Sequence, residues 1–131
     1  MMGQIEFVVK GDERGSLIAL ENNHNIPFDI KRVYYIFDTK DGVRRGYHAH
    51  KNLKQLAIAV SGSCKFFLDN GIEKKHIELK KPTQGLLIEG LIWREMYDFS
   101  HDCILMVLAS DYYNEDDYIR NYEDFLKEVN R

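Results

Sequence analysis

Lys54-Gln55-Leu56-Ala57-Ile58-Ala59-Val60, then Ser61-Gly62, then Ser63-Cys64-Lys65-Phe66-Phe67-Leu68-Asp69-Asn70-Gly71-Ile72-Glu73-Lys74-Lys75-His76-Ile77-Glu78-Leu79, is the stretch that decides the fold class. Its first run alternates Gln55, Ala57 and Ala59 with Leu56, Ile58 and Val60, and a period of two belongs to a strand. One face is bulky and apolar; the other is small and polar and leaves space for a ligand. Asp69-Asn70-Gly71 lies between two further runs, and Asn and Gly accept the positive φ that tight turns need, so Lys65–Glu78 is expected to form one hairpin. Similar short apolar runs, bounded by Gly, Asn or Asp, recur along the chain. Strands are expected at Ile5–Val9, Leu17–Leu20, Arg32–Phe37, Arg45–His50, Lys54–Val60, Ser63–Leu68, Glu73–Leu79, Gly85–Ile88 and Cys103–Leu108. The chain therefore reads as all-β, and closing its short strands into a small barrel or jelly roll removes exposed edges.

After Ser110 the pattern changes. Tyr118, Ile119, Tyr122, Phe125, Leu126 and Val129 recur at helical spacing, which predicts a C-terminal amphipathic helix. The acidic run ending at Glu115-Asp116-Asp117 is expected to cap that helix rather than bind a metal, because carboxylates favour the positive end of the helix dipole. The tyrosines in this region read as packing surface.

At 131 residues, residues 1–131 are expected to form a single domain with one site. The charge balance, 18 basic against 21 acidic side chains, disfavours a nucleic-acid groove, which needs a basic stripe. No apolar run reaches the roughly 18 residues of a membrane span, and Met1–Lys10 lacks the basic-then-apolar order of a secretion signal, so neither nucleic acid nor membrane is an expected partner and a cytoplasmic location is expected. Cys64 and Cys103 sit inside apolar runs and match no CxxC pattern, which predicts two reduced, buried thiols.

The densest chemical signal is Arg44-Arg45-Gly46-Tyr47-His48-Ala49-His50. Histidines two residues apart on a strand point to the same side, so His48 and His50 share a pocket or a solvent face. Metal ligation and acid/base catalysis are both open to such a pair. Arg44 is expected to be solvated.

Gly46, His48, His50, Gln55 and Gly62 resemble the first motif of the cupin superfamily, and the resemblance implies a small cupin-type barrel or jelly roll with a C-terminal α-helix. The metal-binding cupin pattern has a glutamate where this chain has Gln55, and a third histidine where it reads Gly90-Leu91-Ile92-Trp93-Arg94. A neutral amide binds divalent metals poorly and a guanidinium not at all, so no metal and no cofactor are expected. A narrower resemblance spans almost the whole chain. Arg14-Gly15-Ser16-Leu17, Asn25-Ile26-Pro27-Phe28-Asp29-Ile30-Lys31-Arg32-Val33-Tyr34-Tyr35-Ile36, Arg45-Gly46-Tyr47-His48-Ala49-His50-Lys51, Trp93-Arg94-Glu95-Met96 and Leu108-Ala109-Ser110-Asp111-Tyr112-Tyr113 are similar to the sugar 3,4-ketoisomerases that act on dTDP-4-dehydro-6-deoxyglucose.

That resemblance implies an isomerase that moves the ketone of a dTDP-linked 4-keto-6-deoxyhexose from C4 to C3 through an enediolate. It assigns His48 as the base at C3, and spacing places His50 one pleat further along as a proton shuttle; histidine suits both tasks because its ordinary pKa is near neutrality. Arg14, Arg94 and Tyr35 are the candidates to face the developing oxygen charge, Gln55 to orient an imidazole or bond a sugar hydroxyl, and Arg45 to grip the diphosphate with its planar fork. Arginine at both the Arg14 and Arg94 positions leaves the C4 configuration of the product open. The family context adds a homodimer, with exchange of N-terminal strands as one form it takes, and a role in supplying amino-sugars for bacterial surface glycans. The chain is expected to be the isomerase unit alone, without an acyltransferase domain.

Two alternatives remain. Arg14-Gly15 with Arg45-Gly46-Tyr47-His48 also resembles the dTDP-sugar 3,5-epimerases, which would exchange both C3 and C5 hydrogens with solvent while leaving the ketone at C4. A sugar-binding or metal-dependent cupin is the third reading, and a chelator separates it from the others.

Overall fold

The computed structural model describes residues 2–131. In chain order its strands are β1 (Met2–Glu6), β2 (Lys10–Asp12), β3 (Gly15–Leu17), β4 (Arg32–Ile36), β5 (Arg45–His50), β6 (Gln55–Ser61), β7 (Cys64–Asp69), β8 (Lys74–Leu79), β9 (Gln84–Ile88), β10 (Trp93–Tyr97), β11 (Ile104–Ala109) and β12 (Tyr118–Ile119), followed by helix α1 (Tyr122–Val129). Two antiparallel five-stranded sheets, ordered β1-β9-β6-β11-β4 and β12-β5-β10-β7-β8, enclose a core, and β2 pairs with β3 in a separate ribbon. This is the all-β jelly roll with a C-terminal helix that the run spacing and the cupin resemblance imply. Among the described residues no helix is long and apolar enough to cross a membrane.

The alternation in β6 works as a two-sided device. Ala57 and Ala59 enter the core between the sheets with Leu86, Ile88, Leu105 and Val107, against Cys64, Phe66, Leu68, Leu79 and Met96 of the opposite sheet. Leu56 and Ile58 point the other way and are covered by Phe7, Ile26 and Phe28 of the N-terminal segment. Both faces are thus buried over the middle of the strand, although only the inner face is small. The hairpin forms as expected, with Lys65 opposite Glu78. Gly71 adopts φ 91°, and a Cβ there would lie 2.4 Å from Val129 Cγ1, so the turn and the seat of α1 both need glycine. Cys64 and Cys103 are free thiols buried in one cluster.

Five expectations are corrected. The first strand is Met2–Glu6, not Ile5–Val9: it pairs with β9 from Met2–Ile88 to Glu6–Gln84, after which Phe7 turns onto the outer core and Val8 and Val9 are left exposed. Leu17–Leu20 is a strand only through Leu17; Ile18 and Leu20 leave the ribbon to pack on the outer core. β10 was not expected, because Arg94 and Glu95 interrupt its apolar run, yet it is the central strand between β5 and β7. Tyr118 and Ile119 form β12 against His50 and Ala49 rather than the first turn of the helix. The helix begins at Tyr122, with Asn121 as its cap and Glu123 and Asp124 in its first turn. Glu115–Asp117 instead forms a short 3₁₀ turn capped by Asn114.

Candidate active site

The open end of the sandwich is built from polar residues of both sheets. His48 and His50 lie on the inner face of β5, with ring centroids 4.9 Å apart and an interplanar angle of 82°. Gly46 makes this placement possible. Its φ is 95°, the β5–β10 register shifts between Arg94 and Glu95, and a Cβ at Gly46 would meet the Arg94 carbonyl oxygen at 2.8 Å. Only a residue without a side chain lets the two strands approach there.

Opposite the histidines, β10 sends Arg94 into the interior, where it is 2% exposed. Its Nη1 donates to Gln55 Oε1 at 2.5 Å and its Nη2 to the Ile92 carbonyl at 2.9 Å, while Nε has no partner. Gln55 Nε2 donates to the Tyr34 hydroxyl oxygen at 3.0 Å. Gln55 therefore spans Arg94 and Tyr34 rather than holding an imidazole, and its amide is oriented from both ends. Because the Tyr34 oxygen accepts from Gln55, its own O–H is free to donate. Tyr34, His48, Gln55 and Arg94 line one small cavity of about 20 Å³, room for a single water. A second cleft, of about 120 Å³, lies beside it and is lined by His50, Arg32, Asn52, Asp117 and Tyr118 among others.

The electrostatics follow from burial and from the guanidinium. Burial first, and the Arg94 charge second, lower His48 to about 4 and His50 to about 2. Both imidazoles are therefore neutral at neutral pH. Burial also lowers Arg94 to about 10, so it keeps its charge. Burial raises the Tyr34 hydroxyl, which stays protonated. Among the described residues, no third histidine, cysteine or carboxylate joins these two histidines in a group that could hold a metal ion.

The structure thus brings His48, His50, Gln55 and Arg94 together. It does not bring the other three predicted residues into their cavity. Tyr35 is 64% exposed on the outer face of β4, stacked near Phe37; Tyr34, its neighbour, is the inward tyrosine. Arg14 is exposed on the β2–β3 ribbon, and its Nη2 pairs with Asp12 at 2.6 Å. Arg45 is exposed at the start of β5. Arg44, expected to be solvated, is anchored: Nε bonds Glu95 at 2.7 Å and the guanidinium lies 4.1 Å from the Tyr97 ring centroid.

Sequence reasoning missed Tyr34, Asp117 and Tyr118. The Tyr118 ring packs on both imidazoles, with centroids 5.0 Å from His48 and 4.3 Å from His50, and the Arg120 guanidinium lies 4.2 Å from the Tyr118 centroid. The signal for Tyr34 was its parity with Arg32: in a strand that lines a polar site, the polar parity faces inward and the apolar one outward. Tyr118 and Asp117 carried no such signal, since helical spacing masked a two-residue strand.

Comparison with known proteins identifies the family. The family model described as FdtA, WxcM-like, C-terminal, matches residues 2–130. A TDP-4-oxo-6-deoxy-alpha-D-glucose-3,4-oxoisomerase from Aneurinibacillus thermoaerophilus is 56% identical over 118 residues, covering 90% of this chain and 85% of the relative. The crystal structure of a 3,4-ketoisomerase from Helicobacter canadensis is 52% identical with a TM-score of 0.95, covering 99% of this chain and 98% of the other. A TDP-quinovose 3,4-ketoisomerase from Campylobacter jejuni is 52% identical with a TM-score of 0.93, covering 96% and 97%. A dTDP-4-dehydrorhamnose 3,5-epimerase from Bacillus anthracis, at 16% identity, TM-score 0.77 and coverage of 89% of this chain and 76% of the other, shares the fold alone. The chain belongs to the FdtA family, WxcM-like, C-terminal, and is an isomerase of the 3,4-ketoisomerase class.

Proposed function

We propose that the chain, working as one domain, converts dTDP-4-dehydro-6-deoxyglucose to a dTDP-3-dehydro-6-deoxyhexose by metal-free acid/base catalysis. The observation that carries this reading is the charged Arg94 buried in the same cavity as a neutral His48. His48 removes the C3 proton, which the neighbouring C4 ketone acidifies, and the electron pair moves into the enediolate. Arg94, Tyr34 and Gln55 stabilise the oxygen charge as it develops. The O3 proton passes to O4 and a proton is delivered to C4, with His50 carrying protons between carbon and oxygen. C3 is oxidised and C4 reduced within one molecule, so no external oxidant is needed.

Arg45 is assigned to the diphosphate. Arg14 and Tyr35 are assigned to substrate through a homodimer. Its support is an uncovered apolar strip on the edge strand β4, where Val33, Tyr35 and Phe37 are 52%, 64% and 57% exposed, and a ribbon carrying Arg14 that joins neither sheet. An edge strand with an apolar outer face is a pairing hazard unless another chain covers it. The protein is assigned to the cytoplasm, and its 3-keto product to an aminotransferase that makes amino-sugars for a bacterial surface glycan.

The test is turnover of the 4-keto nucleotide by chelator-stripped enzyme in heavy water, followed by NMR. A 3-keto product with deuterium at C4 and none at C5 supports the reading. Exchange at both C3 and C5 with the ketone still at C4 overturns it in favour of epimerisation, and activity that returns only with added metal overturns the metal-free chemistry.

A further inference from the structure

Asp117 takes no part in the chemistry above, yet it is tied to His50 more closely than any other carboxylate. We propose that Asp117 is a positioning residue whose carboxylate holds His50 in the Nδ1–H tautomer, leaving Nε2 as the atom through which His50 accepts and returns protons. This rests on the reading of His50 as a proton carrier.

Asp117 Oδ1 accepts the Asn52 N–H at 2.8 Å, Oδ2 accepts the Leu53 N–H at 3.2 Å, and Oδ2 lies 3.1 Å from His50 Nδ1. The Lys51 N–H donates to the Asp117 main-chain carbonyl at 3.0 Å, which clasps the 3₁₀ turn to the chain just after β5. An ionised carboxylate has acceptor sites only, so the Nδ1 that faces it carries the hydrogen. The other nitrogen, Nε2, is buried without a partner in a side chain 1% exposed. The Tyr118 ring packs on the imidazole and opposes its rotation. The remaining charged or titratable groups that act on His50 are Arg94 from β10, Arg32 from β4, His48 beside it and Arg120 beyond β12. Three of these are cations and disfavour the imidazolium, so the carboxylate is what fixes which nitrogen is protonated while the ring is neutral. A carboxylate behind a functional histidine acts in this way in many sites, and its loss costs about 10–100-fold.

The experiment is ¹⁵N NMR of histidine-labelled, full-length protein at neutral pH, using long-range proton–nitrogen correlations, with His50 assigned by its absence in His50→Asn. The expected result is a protonated Nδ1 and a bare Nε2. In Asp117→Asn, which keeps the shape but replaces one acceptor oxygen with a donor, the Nε2–H tautomer should appear and kcat should fall about 10–100-fold with KM moving less than about threefold. Asn121→Ala is the control. It removes the cap of α1, the Asn121 Oδ1 that accepts the Asp124 N–H at 3.0 Å, and should lower stability with His50 tautomer and kcat unchanged. A wild-type His50 protonated at Nε2 overturns the proposal, as does an Asp117→Asn variant that loses only stability. The wild-type spectrum decides even if Asp117→Asn does not fold. Full activity in His50→Asn, with the tautomer as expected, would instead overturn the reading of His50 as a proton carrier and leave the positioning geometry standing.

Discussion

Replacing Arg94 with methionine should separate catalysis from stability. The guanidinium is buried with two neutral acceptors, Gln55 Oε1 and the Ile92 carbonyl, and an unpartnered Nε; among the described residues no carboxylate lies within ion-pair distance. An isolated buried charge costs several kcal/mol of desolvation, and a methionine of similar length removes that cost. Against this, leaving two buried acceptors bare costs about 1–3 kcal/mol each. The two effects oppose, so the net change should stay within about 2 kcal/mol, a melting shift of no more than about 10 °C in a domain of this size. The catalytic loss has no such offset. Removing a donor aimed at a developing oxyanion costs about 2.7–4 kcal/mol of barrier, about 10²–10³ in kcat. Removing the positive charge also lets His48 rise from about 4 toward its ordinary value, which moves the acid limb of kcat/KM to higher pH. The assays are NMR progress curves of the sugar across pH and calorimetric melting. A kcat within about threefold of wild type would refute the oxyanion role, and a collapse of the fold would refute the claim that the charge is held at a cost to stability.

Tyr34→Phe removes the donor that Gln55 orients and leaves the buried Gln55 Nε2 without its acceptor, so it should lower kcat about 10–100-fold and stability by about 1–3 kcal/mol, read by turnover and thermal melting. Gly46→Ala forces a side chain into φ 95° and against the Arg94 carbonyl, so it should destabilise by about 1–3 kcal/mol in urea unfolding and lower kcat by displacing both strands. Stability itself should fall with acid in a specific window. His48 and His50 are lowered in the folded state, so below about pH 6.5 the unfolded chain binds protons that the native chain refuses. The contribution is full above that pH and is lost as pH drops toward about 4 for His48 and further for His50; His48→Asn should flatten the melting profile over that range. Tyr35→Glu with Phe37→Glu places charges on the exposed outer face of β4 and should shift the sedimentation of the protein from dimer to monomer; an unchanged dimer would move the interface elsewhere.

The sequence by itself determined what local physics can state. The period-two runs, the Asn70-Gly71 turn and the inward small face of Gln55, Ala57 and Ala59 follow from strand geometry, and His48 and His50 share a face for the same reason. The motifs around Arg14, His48 and Arg94 carried the family, because such separated matches in order reflect a whole fold rather than one element. What only the tertiary structure decided depended on which face of a strand meets which other strand. Locally, Arg32 and Tyr34 are marked only by a shared parity; that this parity turns inward while Val33, Tyr35 and Phe37 stay outside inverts the usual apolar-in rule and holds because the interior at that end is a polar site. β10 is a strand despite Arg94 and Glu95 because β5 and β7 flank it on both sides. Tyr118 and Asp117 join the histidines because β12 pairs with β5 across a gap of more than sixty residues, and a backbone ladder of that range outweighs the weak helical preference of a few residues.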